Sequence, residues 1–281
     1  MSNFSRKRIL ITGGSSYLGR HLVPLAAQEH EVVYTYFRND PLASLSGRKV
    51  DVRDKTAVST LISTFQPHAI IHTAGSNRGD DMDGVIRLGA QHVTEAATLV
   101  GARLIHLSTD SLFDGLEPLY AETAVSTPIT AYGRAKADAE SIVAQHENHA
   151  IVRTSLIYSL TQMDHGTRWM ADALRAGEPI TLFDNQFRNP VWVQTLCLAC
   201  LELVDNGHTG ILNVAGRQAM SRAEFALKML DYWGIAERET ITVAPSTGDN
   251  WPLDCRFDLR MGTAVLDTPL LGVDEVMNEA V

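Results

Sequence analysis

Arg8-Ile9-Leu10-Ile11-Thr12-Gly13-Gly14-Ser15-Ser16-Tyr17-Leu18-Gly19 decides the fold. The apolar run Ile9-Leu10-Ile11 ends on paired glycines, which reads as a short buried strand followed by a tight turn. Leu18 to Gln28 then continues as a helix. Strand, glycine-rich turn and helix form the arrangement in which backbone N–H groups and a helix N-terminus cradle a pyrophosphate. The usual middle glycine is absent: depending on register, Ser16 or Tyr17 stands where backbone approaches phosphate. Ser16 offers a hydroxyl there instead.

Working outward, the alternation persists. Glu31–Tyr36, Lys49–Val52, Ala69–Thr73, Arg103–Ser108 and Ala150–Arg153 read as strands. Between them Lys55–Phe65 and Asp83–Val100 read as helices, and a further helix carries Tyr132 and Lys136. Strands alternating with helices predict an α/β, doubly wound parallel (Rossmann) sheet. After about residue 155 the rhythm loosens into helices near 166–176, 194–204 and 221–232 with short strands between them. The expected organisation is a dinucleotide-binding domain over 1–155 and a smaller, mainly substrate-binding lobe over 156–281 that closes on the sheet's carboxyl edge. No Pro/Gly/Ser linker separates the two, so the boundary is soft and later segments are free to return to the sheet.

The 281 residues are 45% hydrophobic and 20% charged, the make-up of an ordinary globular chain. A formal charge of −9 argues against general nucleic-acid binding, and Arg6-Lys7-Arg8 reads as a solvated lead-in to the first strand. No apolar run approaches the roughly 18 to 20 residues that span a bilayer, and the N-terminus does not resemble a signal peptide. A cytoplasmic location, with no membrane partner, is the default expectation. Three cysteines cannot build a disulfide framework. Cys197 and Cys200 form a C-x-x-C inside an apolar helical stretch, so they are expected as core thiols rather than a redox pair.

Tyr132-Gly133-Arg134-Ala135-Lys136 carries the chemistry. A helix turns once in about 3.6 residues, so the phenol and the ammonium project from one face. A free phenol titrates near pH 10, and a neighbouring cation draws it toward working range for acid–base chemistry at a carbonyl. At the end of the second strand, Tyr36-Phe37-Arg38-Asn39 has no carboxylate before Asp40. An arginine there matches a ribose 2′-phosphate, which favours NADP over NAD. His68 and His72 lie about 13 Å apart if their segment is a strand, too far to share a metal ion, and no other cluster has metal-ligand spacing. His106 is expected to pack beneath a helix, and Asp110 to serve a turn. Trp169, Trp192 and Trp251 are expected in core or cleft packing.

Over nearly its whole length the chain resembles the extended short-chain dehydrogenase/reductases. Within them it is similar to the branch containing dTDP-4-dehydrorhamnose reductases and the regulatory β subunit of methionine adenosyltransferase. The resemblance rests on Thr12-Gly13…Leu18-Gly19, Asp51-Val52, the Phe65–Gly75 stretch, Leu107-Ser108-Thr109-Asp110-Ser111-Leu112-Phe113-Asp114-Gly115, the Tyr132–Lys136 motif and Arg188-Asn189-Pro190-Val191. It implies that Ser15, Ser16, Tyr17 and Leu18 line the pyrophosphate, and that Phe37, Arg38 and Asn39 line the adenosine ribose and its phosphate. Asp51 and Val52 would meet adenine, Thr73, Ala74, Gly75 and Asn77 the middle of the cofactor, and Ile157 the nicotinamide side.

Thr109, Tyr132 and Lys136 match the family's catalytic triad. In those roles Thr109 holds a substrate carbonyl, Tyr132 gives it a proton, and Lys136 holds the nicotinamide ribose and lowers the tyrosine pKa. The chain departs from the family in several places. Gly89 replaces a common asparagine, Ser111 a tyrosine, and Trp251-Pro252 an Arg-Pro pair. Ser76-Asn77-Arg78-Gly79-Asp80-Asp81 replaces an acidic, tyrosine-containing stretch. The implied function is an NADP-dependent reductase of a keto nucleotide sugar. The alternatives are a nucleotide-sugar epimerase or dehydratase, or a non-catalytic NADP-binding regulatory subunit. A homodimer is expected by analogy.

Overall fold

The first strands form where hydrophobic runs meet turns. In a computed structural model, which describes residues 6–279 apart from Ser76, Arg78, Asp80, Asp249 and Asn250, the N-terminal half is built from β1 (Arg8–Thr12), α1 (Tyr17–Ala26), β2 (Glu31–Tyr36), β3 (Gly47–Lys49), α2 (Lys55–Phe65), β4 (Ala69–His72), α3 (Met82–Val100), β5 (Arg103–Leu107), α4 (Ala131–Val143) and β6 (His149–Arg153). Half of the Ser76–Asp81 stretch therefore lies outside the described residues.

The expected third strand begins and ends earlier than its apolar pattern suggests. It pairs only with β2, through Tyr34↔Gly47 and Tyr36↔Lys49. It stops because the Asp51 carboxylate accepts from its own chain at Arg53 N (3.0 Å), turning the backbone toward α2.

The C-terminal half contributes β7 (Ile157–Tyr158), α5 (His165–Arg175), β8 (Ile180–Phe183), β9 (Phe187–Arg188), β10 (Val191–Trp192), α6 (Val193–Glu202), β11 (Gly210–Asn213), β12 (Met220–Ser221), α7 (Arg222–Tyr232), β13 (Ile241–Ala244), α8 (Arg260–Val265) and α9 (Val273–Glu279). The central sheet runs β3-β2-β1-β4-β5-β6-β11, parallel throughout. This is the doubly wound α/β fold anticipated from the strand–helix alternation.

One face of the sheet is covered by α1 and α6, through Leu18, Leu22, Val23, Leu196, Cys197 and Cys200. The opposite face is covered by α2, α3 and α4, through Val58, Ile62, Ala90, Val93, Ala135 and Ala139. Cys197 and Cys200 are thus core thiols, and burial pushes the Cys200 thiol up to about 12. A separate apolar cluster holds the outer lobe, where α5 and α7 pack on the β8–β13 pair through Met170, Leu174, Leu182 and Leu230. No helix among the described residues is long and apolar enough to cross a membrane.

Candidate active site

The turn between β1 and α1 is as close to the sheet as glycine permits. A Cβ on Gly13, whose φ is +73°, would lie 2.7 Å from Ala74 N, and one on Gly19 would lie 2.4 Å from Gly13 O. Ser16 caps α1, its Oγ accepting from Gly19 N at 3.0 Å while lying 3.3 Å from Thr73 Oγ1. Tyr17 points away from the turn and donates from its hydroxyl to Gln162 O at 2.8 Å, and Leu18 enters the core. Thr73 is buried and donates to Thr12 O at 2.8 Å, bracing the turn from beneath.

A cleft of 550 Å³ opens over this turn and runs to the end of β2, with Gly13, Ser15, Ser16, Ala74 and Gly75 at one end and Phe37, Arg38, Asp51 and Val52 toward the other. The far end is cationic and aromatic. Arg38 Cζ lies 5.9 Å and Arg53 Cζ 5.6 Å from the centre of the Phe37 ring. Arg53 escaped the sequence reading, although it follows Asp51-Val52 directly. Its guanidinium grips both Asp51 oxygens (2.6–3.1 Å) and reaches Asp81 Oδ2 at 2.7 Å. That hydrogen bonding holds the Asp51 carboxyl below its ordinary range. A turn drawn tight at Gly13 and Gly19, a capped helix N-terminus and two guanidinium groups at the far end suit a ligand with phosphates at both places. Asn39 and Asn77 are exposed and line no part of the cleft.

Thr109, Tyr132 and Lys136 gather at the carboxyl edge of β5. Thr109 leaves that strand and caps a short 3₁₀ turn over Asp110–Leu112. Helix α4 is pressed onto the turn, because a Cβ on Gly133 would lie only 2.1 Å from Ser111 O. Thr130 caps α4 by accepting from Gly133 N at 3.0 Å. Burial pushes the Tyr132 phenol up to about 12, the Thr109 hydroxyl beside it pulls it down, and Asp110 pushes it up. Desolvation outweighs the other influences on this phenol. Lys136 is itself buried, which lowers its ammonium to about 8, with Glu140 acting in the opposite direction.

Asp110 does more than serve a turn. Its Oδ2 accepts from Ser155 Oγ at 2.6 Å and lies 3.4 Å from Arg188 Nε, both partners of that ion pair being buried. Arg188 also donates to Pro252 O and Leu253 O (2.8 and 2.9 Å), fastening the segment around Trp251-Pro252 to the sheet edge. Ile157 lines a second cavity of 240 Å³ between the sheet edge and the lobe, together with Trp169, Thr181, Phe183, Arg222 and Phe225. Trp192 packs in the core, whereas Trp169 and Trp251 are more than half exposed. No cluster of potential metal ligands occurs among the described residues.

Residues 7–256 match the RmlD substrate-binding-domain family. The chain belongs to that family. It is thereby an extended short-chain dehydrogenase/reductase of the RmlD-like branch. Among its relatives, the β subunit of methionine adenosyltransferase 2 from Rattus norvegicus is 28% identical over 276 residues, covering 91% of this chain and 81% of the relative. A dTDP-4-keto-6-deoxy-D-glucose reductase from Streptomyces niveus is 30% identical over 216 residues, covering 73% and 72%. Among solved structures, dTDP-4-dehydrorhamnose reductase from Bacillus anthracis str. Ames, in complex with NADP, superposes with a TM-score of 0.83 at 25% identity, covering 99% of this RmlD-like chain and 98% of that one.

Proposed function

We propose that this chain is an NADP-dependent reductase of a keto nucleotide sugar. The observation that carries the reading is that two features lie along the carboxyl edge of the same parallel sheet. One is a glycine-walled cleft ending in Arg38 and Arg53, and the other is the Thr109–Tyr132–Lys136 group. In this reading the pyrophosphate lies on Gly13, Ser15 and Ser16, and Arg38 and Arg53 take the 2′-phosphate. Ala74 and Gly75 line the middle of the cofactor.

NADPH, when bound, supplies hydride to the carbonyl carbon. Thr109 holds the carbonyl oxygen by hydrogen bonding, and Tyr132 gives that oxygen its proton. Burial serves this role, because a phenol held up to about 12 remains protonated at neutral pH and can act as an acid. Lys136 stands one helical turn further on and restores the proton. The cavity beside Ile157, with Trp169 and Arg222 on its wall, accommodates the sugar and its nucleotide.

Titration with NADPH and NADH, followed by energy transfer from tryptophan, tests the cofactor half of the reading. NADPH is expected to bind tighter than NADH, and Arg38→Ala to weaken NADPH by about tenfold or more, the scale of one charged hydrogen bond. NADPH oxidation by dTDP-, UDP- and GDP-keto sugars tests the chemical half. Tyr132→Phe should abolish turnover while sparing cofactor binding.

The methionine adenosyltransferase relative supports a second reading, in which the chain binds NADP as a regulatory subunit. NADPH binding without oxidation by any keto sugar, together with an altered rate of a methionine adenosyltransferase catalytic subunit, would favour it.

A further inference from the structure

A row of polar side chains crosses the sheet beneath Lys136. Thr12, His72 and His106 are lateral partners on β1, β4 and β5, through the pairs Thr12↔His72 and His72↔His106. All three are at most 2% exposed. Thr12 Oγ1 lies 2.6 Å from His72 Nδ1, the two imidazole rings are 5.2 Å apart, and His106 Nε2 lies 3.3 Å from Lys136 Nζ. Lys136 also donates to Leu107 O. From above, α3 closes the row with Gly89, where a Cβ would already stand 3.0 Å from Val52 Cγ2 and 3.7 Å from His72 Cε1. No polar side chain descends from the helix at that point, so the side-chain hydrogen bonding of Lys136 comes from the sheet.

We infer that His106 is a positioning residue for Lys136, a neutral imidazole whose Nε2 accepts from the ammonium and holds it charged at the edge of the sheet. An ammonium offers three N–H groups and a neutral imidazole one acceptor. His106 Nε2 and Leu107 O take two of the three, which leaves one N–H for a further acceptor. Accepting at Nε2 requires His106 to carry its proton on Nδ1, an atom with no partner among the described residues, as is also true of His72 Nε2. Burying two such atoms costs stability, so the pair is retained against a penalty.

Glu140 lies one turn beyond Lys136 along α4 and is held by Arg153 of β6 at 2.8 Å. Tyr132 lies one turn before Lys136 on α4, and His92 of α3 faces Val52 O at 3.0 Å. Burial and the nearby Lys136 charge hold both His72 and His106 well below the ordinary histidine range, so neither competes with the lysine for a proton.

The inference rests on Lys136 belonging to the proposed site, but its test needs no turnover. The chain holds five lysines, so labelling lysine at Cε with carbon-13 resolves Lys136, assigned by its loss in Lys136→Met. In the unaltered protein Lys136 should titrate near pH 8. His106→Leu should lower that midpoint by about one to two pH units, the scale of a hydrogen bond to a charged group. His106→Gln, whose amide oxygen can accept in place of Nε2, should stay close to the unaltered value. An unchanged midpoint in His106→Leu, or an equal fall in both variants, overturns the inference. If His106→Leu does not fold, nitrogen-15 histidine spectra of the unaltered protein decide. A neutral His106 protonated at Nδ1 between pH 6 and 8 supports the assignment, and an Nε2–H tautomer or an imidazolium overturns it. Absence of reductase activity would remove the proposed reaction and leave the lysine titration fully interpretable.

Discussion

Gly133 sets the distance between Tyr132, the proposed proton donor, and the strand that presents Thr109. Its missing Cβ would sit 2.1 Å from a backbone oxygen, Ser111 O, and no rotamer change relieves a clash with backbone. Gly133→Ala must therefore lift the first turn of α4 away from the 3₁₀ turn. We expect kcat to fall by about tenfold or more, the loss that about 1.4 kcal/mol of misalignment brings, while NADPH binding at the β1–α1 turn is little changed. Steady-state kinetics beside a cofactor titration would show this split.

His72 makes a second residue-scale prediction, on stability. Its folded pKa is depressed to about 3, so over the range from the unfolded value of 6.5 downward the unfolded chain binds the proton and the folded chain does not. The contribution is fully present above pH 6.5 and is lost progressively as pH falls toward 3. Urea denaturation of His72→Phe should show a shallower loss of stability over that window than the unaltered protein.

At the scale of elements, α4 is tied down by more than its apolar face. Glu140 and Arg153 form an ion pair at 2.8 Å with both side chains buried, and Arg153 also reaches Glu122 O at 3.2 Å and stacks 5.3 Å from the Phe113 ring. Removing one partner of such a pair strands a charge away from water. Glu140→Ala is expected to cost about 3–5 kcal/mol in urea denaturation, more than truncating a surface acid by an order of magnitude.

Elements also show what the sequence makes legible. The strand–turn–helix at Arg8–Gly19 and the Tyr132–Lys136 pair depend on neighbours within one or two turns, so local pattern suffices to read them. Arg53 and His106 depend on what lies across from them. The first acquires its meaning from Phe37 and Asp81, the second from Lys136 and His72, and residue spacing along one segment encodes neither encounter. The short third strand ends three residues before its apolar pattern suggests, because its end is decided by an aspartate side chain bonding the backbone.

For the molecule as a whole, the alternation up to residue 155 announced the parallel sheet but not what completes it. The seventh strand, β11, lies beside β6, and α6 covers α1, so residues 193–213 belong structurally with the first half. Arg103 reinforces the closure by donating to Leu203 O and His208 O and, at 2.8 Å, to Asn148 Oδ1. A fragment ending at residue 155 would expose the apolar side of α1 and an unpaired β6. We expect it to show no cooperative thermal transition by circular dichroism, whereas the full chain should show one.

The return of β11 and α6 to the sheet also dictates an order of events during synthesis. The glycine turn and α1 leave the ribosome early, yet the helix that shields Leu22 and Val23 from water is made roughly 170 residues later. Until then the nascent chain carries a bare hydrophobic stripe, and its earliest segment cannot become native before one of its later ones. Such delayed closure slows folding and prolongs the interval in which chaperones must shelter the chain.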